Sequence, residues 1–352
     1  MQNLLSGRLE SIFTLLSPLS HIGSSIGPDS YLATQSILGA DGNPTEVFVY
    51  SGNALRGMWR DAGAKYMLDK LGAGATLQIP LELFHLFFSG GSIGGDQAID
   101  IDQARRIRQA VPHLSVFGGG VGNMILPGKI SVGEGLPVCR ELAHIIPDSC
   151  PGNRELSWRQ MTTEVSYTRK DDAKDELLRP YIQDLSAPAL NASKQTQMAL
   201  LTDSETTDAA PKGKGKKDKE GNTEDDRRPQ QMRYTLEVFC RGAVLWQETV
   251  FQGLTEIELG ALVAAIAEWS KQPYLGGQAR IGMGKVKVDM SWELVGKEKE
   301  RFLSISDGKC LLSQPAGEAK EKYDKFLEKY AGYLEEKRDG LIKAISGKVA
   351  NA

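Results

Sequence analysis

The sequence has few cysteines, no long apolar run and little net charge. The cysteines occur without any C-x-x-C pair: Cys139, Cys150, Cys240 and Cys310. This scatter argues against a disulfide scaffold and against a zinc site, and no metal or cofactor is predicted. No apolar run of about 18 residues occurs, so we expect no transmembrane helix. Because Arg8 and Glu10 interrupt the first apolar stretch, we expect no signal peptide and a cytoplasmic protein without a membrane partner.

What is present is typical of a globular protein. The chain has 352 residues, 41% hydrophobic and 25% charged, which predicts two or three structural units. Glycine is enriched: the chain has 38 glycines in 352 residues, about 11%, where about 7% is usual. The net charge of −3 argues against a protein that coats nucleic acid non-specifically.

The distribution of charge is more informative than its sum. Three stretches contain basic residues but no acidic residue: 47–60, 103–133 and 269–288. Each stretch also contains glycines that are typical of turns. Local basic loops in a near-neutral chain favour the binding of one confined polyanion path.

The apolar periodicity predicts an α+β protein. Strands are predicted at 8–16, 47–50, 114–117, 129–132, 234–239, 244–251 and 285–290, and a glycine- and serine-rich loop at 18–43. One helix is predicted to begin at Ser51 and end at Gly72. A second begins at Thr255 as N-cap, with Glu258 completing a capping box. This order predicts a ferredoxin-like or RRM-like antiparallel sheet with helices on one face.

Two segments depart from this pattern. Residues 202–231 contain no Val, Ile, Leu, Met or aromatic residue, which predicts a flexible insertion. The tail at 318–345 is predicted to be a charged helix that packs on the domain or on a neighbouring subunit. Its apolar stripe consists of Tyr323, Phe326, Leu327, Tyr330 and Leu334.

Two glycine-containing segments are candidate phosphate sites. Ser51, Gly52 and Asn53 expose N–H groups at a helix start, and Arg56 and Arg60 add charge on the next turns. The alternative is that Ser51 only caps the helix and the arginines are solvated.

The second segment is the glycine loop at 276–284. Its glycines allow close approach of a ligand, and basic side chains supply charge. The predicted contacts are Gly276, Gly277, Gln278, Arg280, Gly282, Gly284 and Lys285. The alternative is a tight turn that needs positive φ. A dinucleotide fingerprint is disfavoured, because no parallel βαβ unit followed by an acidic residue occurs.

Four segments in order resemble the repeat-associated (RAMP) proteins of class 1 CRISPR effector complexes. They are PLSHIGSSIG, YSGNALRGMWR, SVFGGGVGNMILPGKISV and YLGGQARIGMGKVKV, and the resemblance spans residues 8–290. The chain is most similar to the backbone subunit of type IV complexes and next to that of type I-D complexes. This subunit is the Cas family numbered seven. The resemblance implies a palm (1–72, 113–158 and 232–295), a finger-type insertion (73–112), a thumb (159–231) and a C-terminal helical extension (296–352).

The resemblance also implies a function. Copies of the subunit would associate head-to-tail along CRISPR RNA, with other Cas subunits, and would leave the guide free to pair with a complementary target nucleic acid. The complex would defend against mobile genetic elements. Further RNA contacts implied by the resemblance are His21, Gly23, Ser24 and Ser25 in the first loop and Arg159, Arg169 and Lys170 in the thumb. The alternative for His21 is a loop histidine that forms hydrogen bonds without a ligand, and the alternative for the thumb is an ordinary surface hairpin.

Two alternatives remain open. In type III relatives an aspartate in the first loop supports metal-dependent cutting of target RNA. Asp29 and Asp41 are the candidates here, and Asp41 lies in a sequence typical of a simple turn. We therefore expect a non-catalytic protein, with Asp29 as the weak candidate for an endoribonuclease. The other alternative is an RRM-type RNA-binding protein that forms no filament.

Overall fold

The computed structural model describes residues 4–72, 79–91, 101–121, 124–168, 233–305 and 318–345. The chain divides into two compact units. The larger comprises Met1–Val165 with Leu236–Ala352, and the smaller comprises Ser166–Thr235. The predicted flexible insertion at 202–231 lies outside the described residues, and the predicted palm, finger and thumb boundaries stay predictions.

Among the described residues there are fourteen β-strands. They are β1 (Leu5–Leu15), β2 (Ile22–Ile26), β3 (Asp29–Leu32), β4 (Thr34–Leu38), β5 (Pro44–Phe48), β6 (Gly119–Val121), β7 (Met124–Leu126), β8 (Ile130–Val132), β9 (Leu136–Pro137), β10 (Thr162–Thr168), β11 (Arg233–Phe239), β12 (Val244–Leu254), β13 (Val286–Leu294) and β14 (Glu300–Ile305).

The helices are interspersed among these strands. They are α1 (Gly52–Lys70), α2 (Leu81–Phe84, continued by a π-helical turn at His85–Ser89), α3 (Ile101–Ala110), α4 (Pro112–Phe117), α5 (Glu256–Ser270), α6 (Glu318–Glu336) and α7 (Arg338–Ile345). Short 3₁₀ turns occur at Arg140–Leu142, Trp158–Met161 and Ala279–Ile281.

The main sheet has the strand order β14-β13-β1-β12-β8, and β9 also pairs with β12. β1 lies antiparallel to both β12 and β13. Leu9, Phe13 and Leu15 alternate inward on β1, as period-two patterning requires. The predicted mixed α+β class with antiparallel sheets is confirmed. A second sheet has the order β10-β11-β3-β2, in which β2 is an edge strand.

One hydrophobic core joins the main sheet to α1 and α5. Trp269 of α5 makes edge contacts with Phe13 at 6.2 Å and with Trp59 of α1 at 6.4 Å between ring centroids. Glycine at 260 lets α6 approach α5 closely, because a Cβ there would lie 2.1 Å from the Phe326 carbonyl oxygen. The predicted tail stripe is confirmed, since Tyr323, Phe326, Tyr330 and Leu334 are buried and Leu327 packs against them. The predicted single helix is instead two helices, α6 and α7.

Two further predictions are wrong. The segment 18–43 was expected to be a loop but contains β2, β3 and β4. Every residue of β2 is exposed, so the strand has no buried alternation by which it could be recognised. The segment 114–117 was expected to be a strand but belongs to α4, which begins with Pro112 and ends before Gly118. All six residues of α4 are buried, and a short apolar run of this kind does not distinguish strand from helix.

Candidate nucleic-acid interface

The segment that follows β1 is the meeting point of the predicted first loop and the predicted glycine loop. The N–H groups of Leu16 and Ser17 both donate to the Lys285 carbonyl, at 2.7 and 3.3 Å. The Gly284 N–H donates to the Pro18 carbonyl at 2.7 Å. The half-buried Lys285 also donates its N–H to Ser17 Oγ at 2.8 Å. Segments more than 260 residues apart in sequence are therefore held side by side by backbone hydrogen bonds.

Tyr50 connects the start of α1 to the glycine loop. Its hydroxyl oxygen accepts a hydrogen bond from the Gly276 N–H at 3.0 Å. The side chain is 1% exposed, and burial raises the pKa of Tyr50 to about 12, so the hydroxyl stays protonated. Sequence reasoning missed Tyr50. The available signal was a tyrosine that ends the predicted apolar strand at 47–50 and directly precedes the predicted helix start.

His21 connects the first loop to the same helix start. Its Nε2 accepts the Ser51 N–H at 3.2 Å, which assigns the proton of the neutral ring to Nδ1. The ring lies 4.6 Å from that of Tyr50. Burial lowers the pKa of His21 and favours this neutral form. His21 is a predicted RNA contact, but its Nε2 is already engaged in a hydrogen bond within the protein.

The start of α1 is left open. Ser51 makes no side-chain capping bond, and the first turn contains no acidic residue. The Ser51 carbonyl accepts from Ala54 and Leu55, while in the described part of the chain the N–H groups of Gly52 and Asn53 have no partner. Asn53 is exposed. An exposed, uncapped helix start is suited to bind an anion.

Gly52 also allows the start of α1 to pack closely against β8. A Cβ at position 52 would lie 2.3 Å from the Val132 carbonyl oxygen and 2.6 Å from the Gly133 carbonyl oxygen. The open helix start is therefore pressed against the end of β8, which fixes its position.

Arg56 and Arg60 converge on one carbonyl group. Both guanidinium groups donate to the Phe117 oxygen, and the Arg60 contact measures 3.2 Å. Both Nε atoms are buried and have no partner among the described residues. Burial lowers the pKa of both side chains, and for Arg60 the charge of Arg56 adds to this effect. The pair holds the third resemblance segment against α1 and concentrates positive charge there.

The glycines of the glycine loop differ in whether the fold requires glycine at their position. Gly276 and Gly284 have φ values of 77° and 80°, and a Cβ there would meet the carbonyl oxygens of Ser20 and Leu275. The tight-turn alternative therefore accounts for these two. Gly277 has no positive φ, and nothing lies within 4 Å of the Cβ it lacks. Its small size is not needed by the fold, which leaves room for close approach of a ligand.

The other predicted contacts in this loop lie on its outer part. Arg280 is exposed and has no partner in the part of the chain that the structure describes. Gln278 is half-buried, and its carbonyl accepts the Ile281 N–H at 3.2 Å. Gly282 ends the short 3₁₀ turn with a φ of 80°, so the tight-turn alternative accounts for this glycine as well. Arg280 is thus the loop's most available cation.

The β2–β3 hairpin presents the remaining first-loop residues. Gly23, Ser24 and Ser25 are exposed, and the hydroxyls of Ser25 and Ser30 lie 3.0 Å apart. Asp29 is opposite Ile26 in this hairpin. Among the described residues, no group of three or more His, Cys, Asp or Glu side chains could hold a metal ion.

The predicted thumb is described only at its edges. Arg159 is exposed, and its guanidinium lies 4.7 Å from the ring centroid of Trp158, whose Nε1 donates to the Glu46 carbonyl at 2.9 Å. Tyr167 is exposed on β10. Arg169 and Lys170 lie outside the described residues.

None of the described helices is both long and apolar enough to span a membrane.

The outer face of the main sheet differs from the site at its end. Arg8 is placed between Glu293 at 2.8 Å and Glu248 at 3.5 Å. Lys299 pairs with Glu10 at 2.7 Å, and Arg301 pairs with Asp289 at 3.0 Å. The bases of this face are paired with acids, so the face offers little excess positive charge to a phosphate. The face therefore suits RNA less well than the site that follows β1.

Comparison with known proteins gives the following. The family profile of the RAMP superfamily matches residues 12–287. No curated protein matches the chain significantly. A chain of a Type IV-B CRISPR complex aligns with a TM-score of 0.47 and 15% identity, covering 89% of this chain and 96% of that chain. Csc2 of Thermofilum pendens aligns with a TM-score of 0.36 and 12% identity, covering 97% of this chain and 78% of that chain.

Proposed function

The chain belongs to the RAMP superfamily, and on that premise we propose that it is the guide-binding backbone subunit of a class 1 CRISPR effector ribonucleoprotein. Its main sheet supports a ferredoxin-like palm. β1, β8, β12 and β13, with α1 and α5 between them in sequence, form the strand order β13-β1-β12-β8 with antiparallel neighbours. The fold alone decides little about function, so the proposal rests on the site.

One observation carries the proposal. The first loop, the start of α1 and the glycine loop are fastened together at one end of the sheet by the His21–Ser51 and Tyr50–Gly276 hydrogen bonds. The surface that results combines an unhindered Gly277 with N–H groups and an Arg280 guanidinium that have no partner among the described residues. Groups of these kinds bind phosphate oxygens without reading base identity.

The mechanism follows from the chemistry of these groups. The Asn53 N–H and the α1 dipole attract one phosphate, and Arg280 neutralises another beside the Gly277 backbone. Contacts to the backbone leave base edges available for pairing with a complementary target. Copies of the chain would associate head-to-tail along the guide, since a heterologous contact builds a filament. Other Cas subunits would complete the complex.

A size measurement with nucleic-acid analysis tests this proposal. The full chain, expressed with a CRISPR RNA, should elute as a large particle that contains protected RNA of discrete length. Arg280→Glu should reduce the RNA content and the particle size, because it reverses the charge at the proposed phosphate contact. The matched control is Arg140→Glu, at an exposed arginine outside the site. A monomer free of RNA would contradict the proposal.

We further propose that the subunit does not cut RNA. Metal-assisted cleavage needs carboxylates that hold the ion or orient the attacking hydroxyl. In the assembled complex, complementary target RNA should bind in the presence of magnesium and stay intact. Cleavage products at regular intervals that disappear in Asp29→Ala would favour the endoribonuclease alternative instead.

A further inference from the structure

A second basic cleft lies at the opposite end of β1. It measures about 750 Å³, and its lining includes Arg105 and Arg108 of α3, Lys129, Glu258 and Tyr333. The cleft adjoins Leu4 and Gly253, at the start of β1 and near the end of β12. The site described above follows the other end of β1. Eleven strand residues separate the two by about 33 Å.

The charge of the cleft is positive because Glu258, the one acid among its described lining residues, is already neutralised. Lys129 Nζ lies 2.7 and 2.8 Å from the two carboxylate oxygens of Glu258. Glu258 also accepts the Thr255 N–H at 2.8 Å and a hydrogen bond from the Ser115 hydroxyl. This carboxylate therefore has little capacity left to oppose an anion, and two arginines remain in excess.

Among the described residues, each of the two arginines is engaged by one group. Arg105 and Arg108 are three residues apart and so lie on neighbouring positions of one helix face. The acid beside Arg105 is Asp102 at 3.5 Å, with both side chains mostly exposed, and such pairs contribute about 0–1 kcal/mol. Arg108 donates one nitrogen to the Pro127 carbonyl, while its Nε is buried and has no partner among the described residues.

The helix that carries these arginines is fixed in place. The Tyr333 hydroxyl lies 3.1 and 2.9 Å from the carbonyl oxygens of Gln109 and Ala110, at the end of α3. α6 thereby holds α3 beside the start of α5. The nearby Glu256 carboxylate is engaged by Lys329 and lies 3.9 Å from Lys325, so it adds little repulsion.

We propose that this cleft binds the phosphodiester backbone of a nucleic-acid strand, as a second site separate from the one that follows β1. The guanidinium fork forms paired hydrogen bonds with phosphate oxygens. The inference rests on the proposed function only for its choice of a nucleic acid as ligand, and the strand is either a distant part of the guide or the paired target.

The direct test uses a labelled single-stranded uridine oligomer of about 15 nucleotides and the full chain, with affinity measured over a salt series. Arg105→Ala/Arg108→Ala should weaken binding about tenfold and reduce the salt slope by about 1.4, as expected when two phosphate contacts are lost. The control, Lys70→Ala/Arg140→Ala, removes two exposed cations elsewhere and should leave both values near those of the wild type. Unchanged affinity and slope in the α3 variant would overturn the proposal.

Two further measurements complete the test. Arg105→Lys/Arg108→Lys keeps both charges but loses the fork, so it should bind more tightly than the alanine variant and less tightly than wild type, with the salt slope of the wild type. This result would separate loss of binding from loss of folding. In the assembled complex, a loss of target binding with unchanged guide content identifies the strand as the target, whereas a loss of guide content identifies it as the guide. Because the oligomer assay needs no assembled particle, it gives an answer even if the proposed backbone function fails.

Discussion

The two helices that share the main core begin in opposite ways. At the start of α5, Thr255 Oγ1 accepts the Glu258 N–H at 3.2 Å and Glu258 accepts the Thr255 N–H at 2.8 Å. Its first turn carries two acidic residues. At the start of α1, Ser51 makes no capping bond and the first turn carries no acidic residue. Both helices pack in one core, so the difference does not arise from burial of the helix bodies.

The comparison shows that only one of the two helix starts has the negative charge that a helix N-terminus favours. A helix start favours negative charge, yet α1 carries Arg56 and Arg60 within its first nine residues. α5 satisfies the same requirement internally with Glu256 and Glu258. The start of α1 would gain stability from an added anion, whereas the start of α5 is already satisfied. This contrast favours α1 as the ligand-binding start, and each prediction below tests it.

The largest expected effect is at the start of α5. Glu258→Gln leaves the Lys129 ammonium without its carboxylate partner, and such loss costs about 3 to 5 kcal/mol of unfolding free energy. Burial raises the pKa of Glu258, but hydrogen bonds from Lys129, Ser115 and Thr255 outweigh it and the pKa is lowered overall. The pair's contribution is therefore complete above about pH 4.5 and is lost as the pH falls through the lowered pKa.

Urea unfolding of wild type and Glu258→Gln at neutral and acidic pH measures this effect. The difference between the two proteins should be large at about pH 7 and should shrink below about pH 4. A difference that stays constant over this range would show that the ion pair does not stabilise α5.

The next effect concerns the packing of the open start. Gly52→Ala should lower the unfolding free energy by about 1 to 3 kcal/mol, because the added methyl would meet carbonyl oxygens of Val132 and Gly133. Gly57→Ala on the same helix is the matched control, since nothing lies within 4 Å of a Cβ there. It should raise stability by about 0.5 to 1 kcal/mol. Equal effects at both positions would refute the close packing of α1 on β8.

The start of α5 was predictable from sequence and that of α1 only in part. A capping box is a local signal, because Thr255 and Glu258 are three residues apart and bond to each other. The function of the α1 start depends on partners far away. Tyr50 meets Gly276 across 226 residues, and Arg60 meets Phe117 across 57 residues. Residue spacing contains no signal for such contacts.

The same reasoning explains the errors in the fold. β1, β12 and β13 were predicted because buried residues alternate along them, whereas the exposed β2 offered no alternation. α4 was missed because it is buried on all sides. The glycine loop was located correctly, but the distinct position of Gly277 became visible only from the space around it.

A third prediction asks what the two arginines of α1 contribute. Arg56→Ala/Arg60→Ala should weaken binding of unrelated RNA sequences about tenfold, which equals about 1.4 kcal/mol, and lower the salt dependence of affinity. The Arg56→Lys/Arg60→Lys variant keeps the charges but loses the fork that holds the Phe117 carbonyl. If it binds as weakly as the alanine variant, the pair positions the segment after Phe117. If it binds like wild type, the charge itself is what RNA requires.

The smallest effect is the most direct comparison of the two helix starts. Thr255→Ala removes a side-chain cap that accepts the Glu258 N–H, so it should lower the unfolding free energy by about 1 kcal/mol. Ser51→Ala removes a hydroxyl that caps nothing, so its effect should stay within about 0.5 kcal/mol. Thermal and urea unfolding of both variants without nucleic acid measure this difference. Equal losses would mean that Ser51 does cap α1 in solution. The α1 start would then be as satisfied as that of α5, and the argument for an anion there would lose its basis.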